Sequence, residues 1–367
     1  MTSSAKPLNA AATFIDSLNT AAVRMLANAV FGQPLLHMLS QQSGLERPLV
    51  AQALSFDDSA HKHPALFSLT DKHQQWLHQL DQEPRQLLEY LHNDKHIKLG
   101  IYHERLWQFF LLNNDDTQLL ASNLTARNNG NDLGEFDLIY HHRDFGLVHL
   151  EIASKYYLAC SQHTDNWETW LGPGRTDRLD LKLNHSINKQ MNLADHPRAT
   201  EQLLSYLDDH VDNHLDNHLN KLSIKKPTAE KPLSKQLHIG GRLFYRRENP
   251  LSPSHSAHPE HLSEQHQTGH WLLLSEWQDL LSQHQVDYHL IDKPYWLDTA
   301  KGNQRRLANT ETNQAASTHT STSTSTGTST GTSTKMPEMI IYRIEALDIE
   351  TAFCFIVPND WLTRPSV

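Results

Sequence analysis

Cysteine is scarce in this sequence of 367 residues, which contains only Cys160 and Cys354. The two cysteines are far apart and no CxxC pair occurs, so the sequence predicts neither a disulfide framework nor a zinc site built on thiolates. Few and widely spaced cysteines are typical of proteins in a reducing compartment. We therefore expect a cytoplasmic protein.

Long apolar runs are also missing. No stretch reaches the roughly 18 uncharged apolar residues that a membrane-spanning helix needs. The first residues, from Met1 to Leu8, lack the basic-then-apolar order of a secretory signal peptide. We expect a soluble protein without a membrane partner, and nothing in the sequence indicates its oligomeric state.

Positive charge is in deficit. The sequence has 42 Asp and Glu residues against 32 Lys and Arg residues, which gives a formal net charge of −10 at pH 7. This balance argues against a protein that coats nucleic acid through bulk charge, although it leaves room for a local basic groove. The sequence also lacks a P-loop and a GxSxG elbow, so neither a nucleotide-cradling loop nor a serine hydrolase triad is predicted.

The distribution of apolar and polar residues predicts an α/β protein with four regions. Residues 1–83 form an N-terminal helical region, and residues 84–200 form a core with a mixed sheet. Residues 201–235 are a polar insertion rich in His and Asp. Residues 236–367 form a β-rich C-terminal region packed on the core, interrupted at 306–336 by a Ser/Thr-rich tract that we expect to be disordered.

Periodicity places individual elements within these regions. Helices with apolar spacing are predicted at 23–31, 84–92, 101–110 and 271–281. Strand-like runs are predicted at 236–245, 286–291, 339–344 and 352–358.

The clearest local pattern is a β-hairpin. Residues 134–140 and 148–156 alternate between apolar and polar side chains and are joined by a short polar turn. Phe136, Leu138 and Tyr140 share one face of the first strand. If the apolar faces of both strands pack against one core, Asp137 and Glu151 lie on the same outer surface.

Two carboxylates on one surface repel each other unless something compensates their charge. Mg²⁺ does so, since it takes carboxylate oxygens together with water, and Mn²⁺ accepts the same ligands. Lys155, on the face of Glu151, could orient or deprotonate the attacking water. Asp137, Glu151 and Lys155 are therefore a candidate set for metal-assisted phosphodiester hydrolysis; the alternative is an ordinary solvated strand face.

A basic helix is predicted directly after the hairpin. Gly172-Pro173-Gly174 breaks the strand pattern, and a helix follows over about 175–190. Basic residues recur along it at intervals of three and four and fall on one face: Arg175, Arg178, Lys182, His185 and Lys189. Such a stripe could hold the phosphate backbone of DNA or RNA; the alternative is a solvated amphipathic helix.

These residues carry a resemblance to a known superfamily. Asp137, then Glu151 and Lys155 across a hairpin, then a helix with Lys189 and Gln190, resembles the PD-(D/E)XK nucleases. The resemblance implies a nuclease-like mixed-sheet core, metal ligation by Asp137 and Glu151, and substrate contacts from the basic helix and Gln190. Glu104 fits as an extra metal ligand, because many members place an acidic residue on the first core helix.

The sequence also resembles, over nearly its full length, an uncharacterised bacterial family of conserved proteins placed near that superfamily, a domain of unknown function. The matching stretches are 23–36, 100–107, 134–138, 149–158, 170–179, 244–245 and 357–358.

One position departs from the superfamily pattern. The pattern places lysine two residues after the glutamate, where this sequence has Ala153, and Lys155 stands four residues after Glu151. In a regular strand four residues span ~13 Å rather than ~7 Å, unless a bulge shortens the distance. Two functions therefore stay open: a Mg²⁺-dependent nuclease, and a non-catalytic nucleic-acid-binding or protein adaptor on a degenerate nuclease-like fold.

The Ser/Thr tract gives a first testable prediction. Deletion of residues 317–334 should leave the Tm almost unchanged, because a segment without apolar side chains loses no packed contacts. Thermal unfolding of the full-length and shortened proteins compares the two, and a large fall in Tm would contradict the prediction.

Overall fold

The computed structural model describes residues 10–36, 39–41, 66–91, 98–211, 233–247, 259, 262–263, 265–305, 337–344 and 349–363. The Ser/Thr tract at 306–336 and residues 212–232 of the polar insertion lie outside these ranges.

Helices and strands are both numerous, which confirms the α/β class. The helices are α1 (Ala10–Ser17), α2 (Ala21–Phe31), α3 (Asp71–Gln82), α4 (Arg85–Leu91), α5 (Leu99–Asn113), α6 (Leu179–His185), α7 (Pro197–Val211) and α8 (Leu274–Gln283). The strands are β1 (Leu39–Gln41), β2 (Thr117–Asn128), β3 (Asn131–His142), β4 (Gly146–Ala159), β5 (Trp170–Leu171), β6 (Ser234–Arg246), β7 (Gln267–Leu273), β8 (Asp287–Leu290), β9 (Glu338–Ile344) and β10 (Ile349–Val357). No helix in the described ranges is long and apolar enough to cross a membrane.

All of these strands join one mixed sheet. Its main order is β2-β3-β4-β6-β7-β10-β9-β8, with β1 added to β6 and β5 added to β4. The central strands β4, β6, β7 and β10 are parallel neighbours, and antiparallel pairs flank them on both sides. The C-terminal strands therefore extend the sheet of the predicted core rather than forming a separate layer on it.

Helices cover the sheet on both faces at β4. Leu150 and Ile152 pack into a cluster with helices α2 and α5, whereas Ala153 and Tyr157 pack into a different cluster with helix α6. Because side chains an odd number of residues apart point to opposite faces of a strand, the two clusters lie on opposite sides of the sheet. His149 and Glu151 of β4 are consequently buried, whereas Ser154 and Lys155 keep intermediate exposure.

The predicted hairpin is confirmed as β3 and β4, which pair antiparallel with Leu138 opposite Leu150. Leu138 and Tyr140 face the cluster with α2 and α5, as the alternation predicts. Phe136 does not: it packs in the cluster of Ile139 on the other side, where its ring contacts His149 with centroids 4.8 Å apart. The prediction of one shared face for all three apolar residues is therefore wrong at Phe136.

The predicted helix over 175–190 is shorter than expected, because α6 begins only at Leu179. Arg175 has a left-handed backbone with φ of 57°, and Arg178 is extended, so neither residue is helical. Beyond His185 the helix widens into a π-helical turn over Ser186–Gln190. The spacing rule for an α-helix thus fails at both ends of the predicted basic stripe.

The predicted helix at 271–281 also begins later. Trp271 and Leu272 belong to strand β7 and pack into clusters on opposite sides of the sheet, and α8 starts at Leu274. A short apolar run in a buried parallel strand cannot be told from a buried helix by periodicity alone. The other predicted elements correspond to α2, α4, α5, β6, β8, β9 and β10.

A buried ion pair ties the N-terminal helices to the segment after β8. The guanidinium of Arg24 donates from Nε and Nη2 to the two carboxylate oxygens of Asp298, each at 2.9 Å. Arg24 Nη1 also donates to the carbonyl oxygens of Leu18 and Asn19. Both charged residues are almost fully buried, and the hydrogen bonds satisfy the guanidinium on all sides.

The glycine at 241 allows β6 to lie against β4. Gly241 has φ of 115°, and a Cβ atom there would overlap the carbonyl oxygen of Lys155 on the neighbouring strand. Gly240 differs, since a Cβ at this position would first meet His238 Nε2 at an ordinary 3.5 Å.

We predict that Gly241→Ala lowers the free energy of unfolding by more than about 2 kcal/mol, through backbone strain and the overlap with β4. Gly240→Ala is the matched control, with an expected change below about 1 kcal/mol. Urea denaturation of both variants measures the difference; equal losses would contradict the close approach at Gly241.

Candidate active site

The two strands of the hairpin separate at Asp137. Main-chain pairing between β3 and β4 ends at Leu138 and Leu150. Beyond it, Asp137 Oδ2 accepts a hydrogen bond of 3.0 Å from the backbone N–H of Ile152. The side chain of Asp137 thus takes the place of a main-chain partner at the fork between the strands, and this bond fixes its carboxyl group beside β4.

Glu151 lies at the same fork and is buried, with 1% of its surface exposed. Its Oε1 is hydrogen-bonded to Nε2 of His149 at 2.7 Å. Its Oε2 is buried and has no donor in hydrogen-bond geometry among the described residues, although interactions with the backbone N–H and carboxyl group of Asp137 lower the pKa of Glu151. The carboxyl groups of Glu151 and Asp137 lie within hydrogen-bond reach of each other, so the contact between them needs a shared proton or a cation.

Both carboxyl groups hold a proton more tightly than free side chains do. Burial raises the pKa of Asp137 to about 7, and the charge of Glu151 adds to the effect. Burial likewise raises the pKa of Glu151 to about 7, with the charges of Glu135 and Glu104 adding to it. The pair therefore takes up or releases a proton near neutral pH, where a free carboxyl is ionised.

The cations nearest to Glu151 are already engaged or neutral. Burial lowers the pKa of His149 to about 4, so its imidazole is neutral at pH 7 and interacts with Glu151 through a hydrogen bond rather than an ion pair. Lys235 is buried nearby and donates to both oxygens of Asp195 at 2.7 Å. Neither His149 nor Lys235 neutralises the Asp137–Glu151 pair.

Glu104 and Glu135 extend the acidic group towards solvent. Glu104, on α5, is half-buried, and its Oε2 accepts a hydrogen bond of 3.4 Å from Asn123 Nδ2. Burial raises the pKa of Glu104, and the charge of Asp137 raises it further. Glu135 is exposed and accepts a hydrogen bond of 3.4 Å from Thr125 Oγ1. The predicted extra ligand Glu104 thus lies beside the pair.

Lys155 reaches the site from farther along β4. The pairing of β4 with β6 runs from Val148 to Leu158 without a register shift, so no bulge shortens the distance from Glu151 to Lys155. Burial lowers the pKa of Lys155 and the charge of Lys182 lowers it further, while Asp177 and Asp137 oppose these effects. Within the described ranges its ammonium has no hydrogen-bond acceptor, although it lies close enough to sense the charge of Asp137.

A basic cluster borders Lys155. Lys182 and Lys189 are exposed on α6 and the π-helical turn. Burial lowers the pKa of His185, and the charges of Lys189, Lys182 and Lys155 lower it further. We call Lys155, Lys182, His185 and Lys189 the basic cluster; it lies next to the carboxylate pair and presents positive charge to solvent.

Three predicted substrate residues are engaged elsewhere. Arg178 forms a two-pronged ion pair with Asp180, at 2.9 and 2.6 Å. Arg175 is buried with its guanidinium 5.1 Å from the ring centre of Trp361. Gln190 accepts a hydrogen bond of 2.9 Å from Ser186. Of the predicted stripe, only Lys182, His185 and Lys189 join the basic cluster.

Sequence reasoning missed the residues that support the pair. His149 was identifiable, since it stands two residues before Glu151 and alternation puts both on one face. The contact of Asn123 with Glu104 was not predictable from the sequence. Asn123 has a left-handed backbone with φ of 52°, so the alternation of a regular strand does not give the direction of its side chain.

The donor set at the fork fits a hard divalent cation. In the described part of the chain, no group of three or more His, Cys, Asp or Glu side chains is arranged to hold a metal ion. Magnesium, however, is commonly held by one or two carboxylates, with water and substrate phosphate as its other ligands. The buried Glu151 Oε2, which lacks a donor, beside the Asp137 carboxyl is suited to that type of site.

The raised pKa values give a prediction with a definite sign. The folded state binds protons at Asp137 and Glu151 that the unfolded chain releases near pH 4. Their contribution to stability is therefore present below about pH 4 and is lost as the pH rises through about 7. Glu151→Gln, which keeps a neutral side chain there, should be more stable than the wild type at about pH 8, by a few kcal/mol at most, with the advantage shrinking towards about pH 5.

Urea denaturation across this pH range measures the difference between wild type and variant. Asp132→Asn is the control, because Asp132 is exposed and pairs only with the exposed Arg127; its difference from wild type should not vary with pH in this window. A Glu151→Gln variant that is less stable than wild type at pH 8 would contradict the assignment.

The chain matches a known family model over most of its length. The model described as "Domain of unknown function (DUF1853)" matches residues 24–336, which include every site residue named above. No curated protein and no solved structure matches the chain. The match confirms the predicted likeness to an uncharacterised family, and the chain belongs to the family Domain of unknown function (DUF1853).

Proposed function

We propose that this protein is a Mg²⁺- or Mn²⁺-dependent phosphodiesterase that hydrolyses DNA or RNA. The observation that carries the proposal is the pair of carboxyl groups at the fork of β3 and β4, the buried Glu151 and the half-buried Asp137, which contact each other and form no ion pair with a cation in the described ranges. Beside them lie an ammonium without an acceptor and the basic cluster. Metal-dependent phosphodiester hydrolysis needs a pair of acidic ligands, a lysine near the reacting phosphate and a surface that binds the phosphate backbone.

Each residue has a distinct role in this proposal. Asp137 and Glu151 would hold the cation directly, with Glu104 as an additional ligand on the solvent side. The bound cation supplies Lewis acidity to a phosphoryl oxygen and lowers the pKa of attacking water. Lys155 orients that water or stabilises the charge that develops on the phosphate, and its lowered pKa also makes it a better proton acceptor than a free lysine. His149 is a positioning residue, since it holds Glu151 Oε1.

The electrostatics of the fork support a divalent cation over a permanent shared proton. Above pH 7 the two carboxyl groups ionise, and two adjacent negative charges in a buried position are unfavourable without compensation. A divalent cation removes that cost, so its affinity should rise with pH as the proton leaves. The exposed Lys182 and Lys189 then attract the polyanionic backbone towards the cation in spite of the net negative charge of the whole chain.

The likeness to PD-(D/E)XK nucleases supports the same proposal. An aspartate on one strand, a glutamate on the next, and a lysine beyond it on the same strand agree with that pattern in order and in chemistry. The lysine position differs, because Ala153 stands where the pattern has lysine and Lys155 follows two residues later.

One observation favours a second function. Because β4 is regular, Lys155 approaches the fork only by extending its side chain, whereas Ala153 lies against the cluster of Leu237 and Ile239. If Lys155 does not reach the reacting phosphate in this way, the protein has a nuclease-like fold that binds nucleic acid or a protein partner without cleaving a phosphodiester bond.

The proposal predicts cleavage that depends on a divalent cation and on the acid pair. The full-length protein with Mg²⁺ or Mn²⁺ should cut plasmid DNA, single-stranded DNA or RNA, and Asp137→Asn or Glu151→Gln should reduce the rate by at least about 100-fold. Lys155→Met should reduce the rate by a similar factor with a much smaller loss of substrate affinity, since its main expected effect is on the chemical step and Lys182 and Lys189 remain. Asp132→Asn is the matched control and should cut at the wild-type rate.

Metal binding is tested separately by the rise in Tm on adding Mn²⁺. We expect a larger rise at about pH 8 than at about pH 6, and none in Asp137→Asn. Metal and nucleic-acid binding without cleavage would favour the adaptor function. Absence of any metal effect that depends on Asp137 and Glu151 would overturn both the site and the enzyme.

A further inference from the structure

A cavity of about 270 Å³ lies away from the acidic fork, between helices α1 and α2 and the ends of β6 and β7. An engineered cavity of about 150 Å³ is enough to hold benzene, so this one has room for a ligand nearly twice that size. Its middle is lined by apolar side chains such as Ile15 and Phe31, and its rim includes the exposed residues Ala12 and Lys301. Its walls also contain polar groups with unmet hydrogen-bonding capacity.

Arg242, on the sheet side of the cavity, is a buried cation without an ion-pair partner. The residue is 5% exposed, and its guanidinium lies 3.6 Å from the ring centre of Phe353. Nη2 donates to Gln267 Oε1 at 2.7 Å, but Nε and Nη1 are buried and have no acceptor among the residues that the structure describes. Burial lowers the pKa of Arg242 to about 10, so it is still charged at pH 7. A buried charge with a single neutral partner is costly unless a ligand supplies acceptors.

The side-chain amides of Gln267 and Asn28 are fixed by other hydrogen bonds and do not provide further acceptors for Arg242. Gln267 Nε2 donates to Asn28 Oδ1 at 2.7 Å, and Asn28 Nδ2 donates to the carbonyl oxygen of Leu297 at 2.8 Å. This chain of hydrogen bonds fixes the orientation of both amides. The nearby carboxylate of Asp298 is held by Arg24. The unmet donors of Arg242 are therefore left for a molecule inside the cavity.

The part of the lining formed by α1 and the end of α2 provides hydrogen-bond acceptors, whereas Arg242 provides donors. Asp16, in the last turn of α1, and Gln33, just after α2, each have a buried side-chain oxygen, Oδ1 and Oε1 respectively, that no donor in the described part of the chain reaches. Both residues line the same cavity as Arg242. The lining thus combines unmet donors from Arg242, unmet acceptors from Asp16 and Gln33, and apolar side chains such as Ile15 and Phe31.

We propose that this cavity binds a small zwitterion with a carboxylate at one end of a short carbon chain and an ammonium group at the other, of the ω-amino acid class. The carboxylate pairs with Arg242, and the ammonium is held by Asp16 and Gln33. The methylene groups between them pack on Ile15 and Phe31. This site is independent of the proposed phosphodiesterase activity.

The test is ligand binding to the full-length protein, measured by thermal shift and titration calorimetry. The probes are glycine, 4-aminobutanoate and 6-aminohexanoate, together with hexanoate and hexylamine, which each carry only one of the two charged ends. We expect 4-aminobutanoate or 6-aminohexanoate to raise the Tm, and glycine, hexanoate and hexylamine to have little effect. The inference is overturned if no zwitterion binds, or if hexanoate or hexylamine binds as tightly as the zwitterion of equal length.

Three variants locate the site. Gln267→Glu gives Arg242 a carboxylate partner within the protein and should raise the Kd of the zwitterion at least about tenfold. Ala12→Trp places a bulky group at the exposed rim, where folding is least affected, and should block entry. Asp137→Asn, at the acidic fork, is the control and should bind as the wild type does. Unchanged binding by both Gln267→Glu and Ala12→Trp would place the ligand elsewhere and overturn the inference.

Discussion

The exclusion of water from both faces of β4 is the constraint on which the rest of the structure depends. Helices α2 and α5 cover one face and α6 the other, so the acidic side chains at the fork sit in a medium that penalises ionisation. On an open strand Asp137 and Glu151 would be ordinary solvated carboxylates with pKa values near 4. Under the covering helices Asp137 and Glu151 become a coupled pair that requires a proton or a cation. This requirement is what makes the fork a candidate binding site for a metal ion.

The same constraint explains the residues around the pair. A charged His149 would neutralise Glu151 and make a cation unnecessary, but burial keeps the imidazole neutral and restricts it to a hydrogen bond. Lys235 could also neutralise the pair, yet Asp195 holds its ammonium through both oxygens. The protein thus engages its nearby buried cation elsewhere, which leaves the negative charge at the fork for a ligand to compensate.

The sequence predicted the hairpin and the common side of Asp137 and Glu151, because both follow from the two-residue period of a strand. A central position in the sheet predicts that the outer face is covered, but the sequence does not identify the covering element, because helix α6 lies some twenty residues further along the chain. It also could not predict the loss of Arg175 from the basic stripe. Helical spacing assumes α geometry throughout, and the left-handed backbone of Arg175 removes that residue from the helix.

The displaced lysine also follows from packing. A lysine at position 153 would place its stem against the apolar cluster of Leu237 and Ile239, where Ala153 now packs. Lys155 instead lies opposite Gly241, the point where the neighbouring strand has no side chain and its backbone approaches β4 closely. The backbone of β4 occupies the space that a side chain at 241 would take, and the ammonium of Lys155 comes under the influence of Asp137 without a bulge in β4. The lysine two residues beyond the usual position therefore stays within electrostatic reach of the fork, in a strand that remains regular.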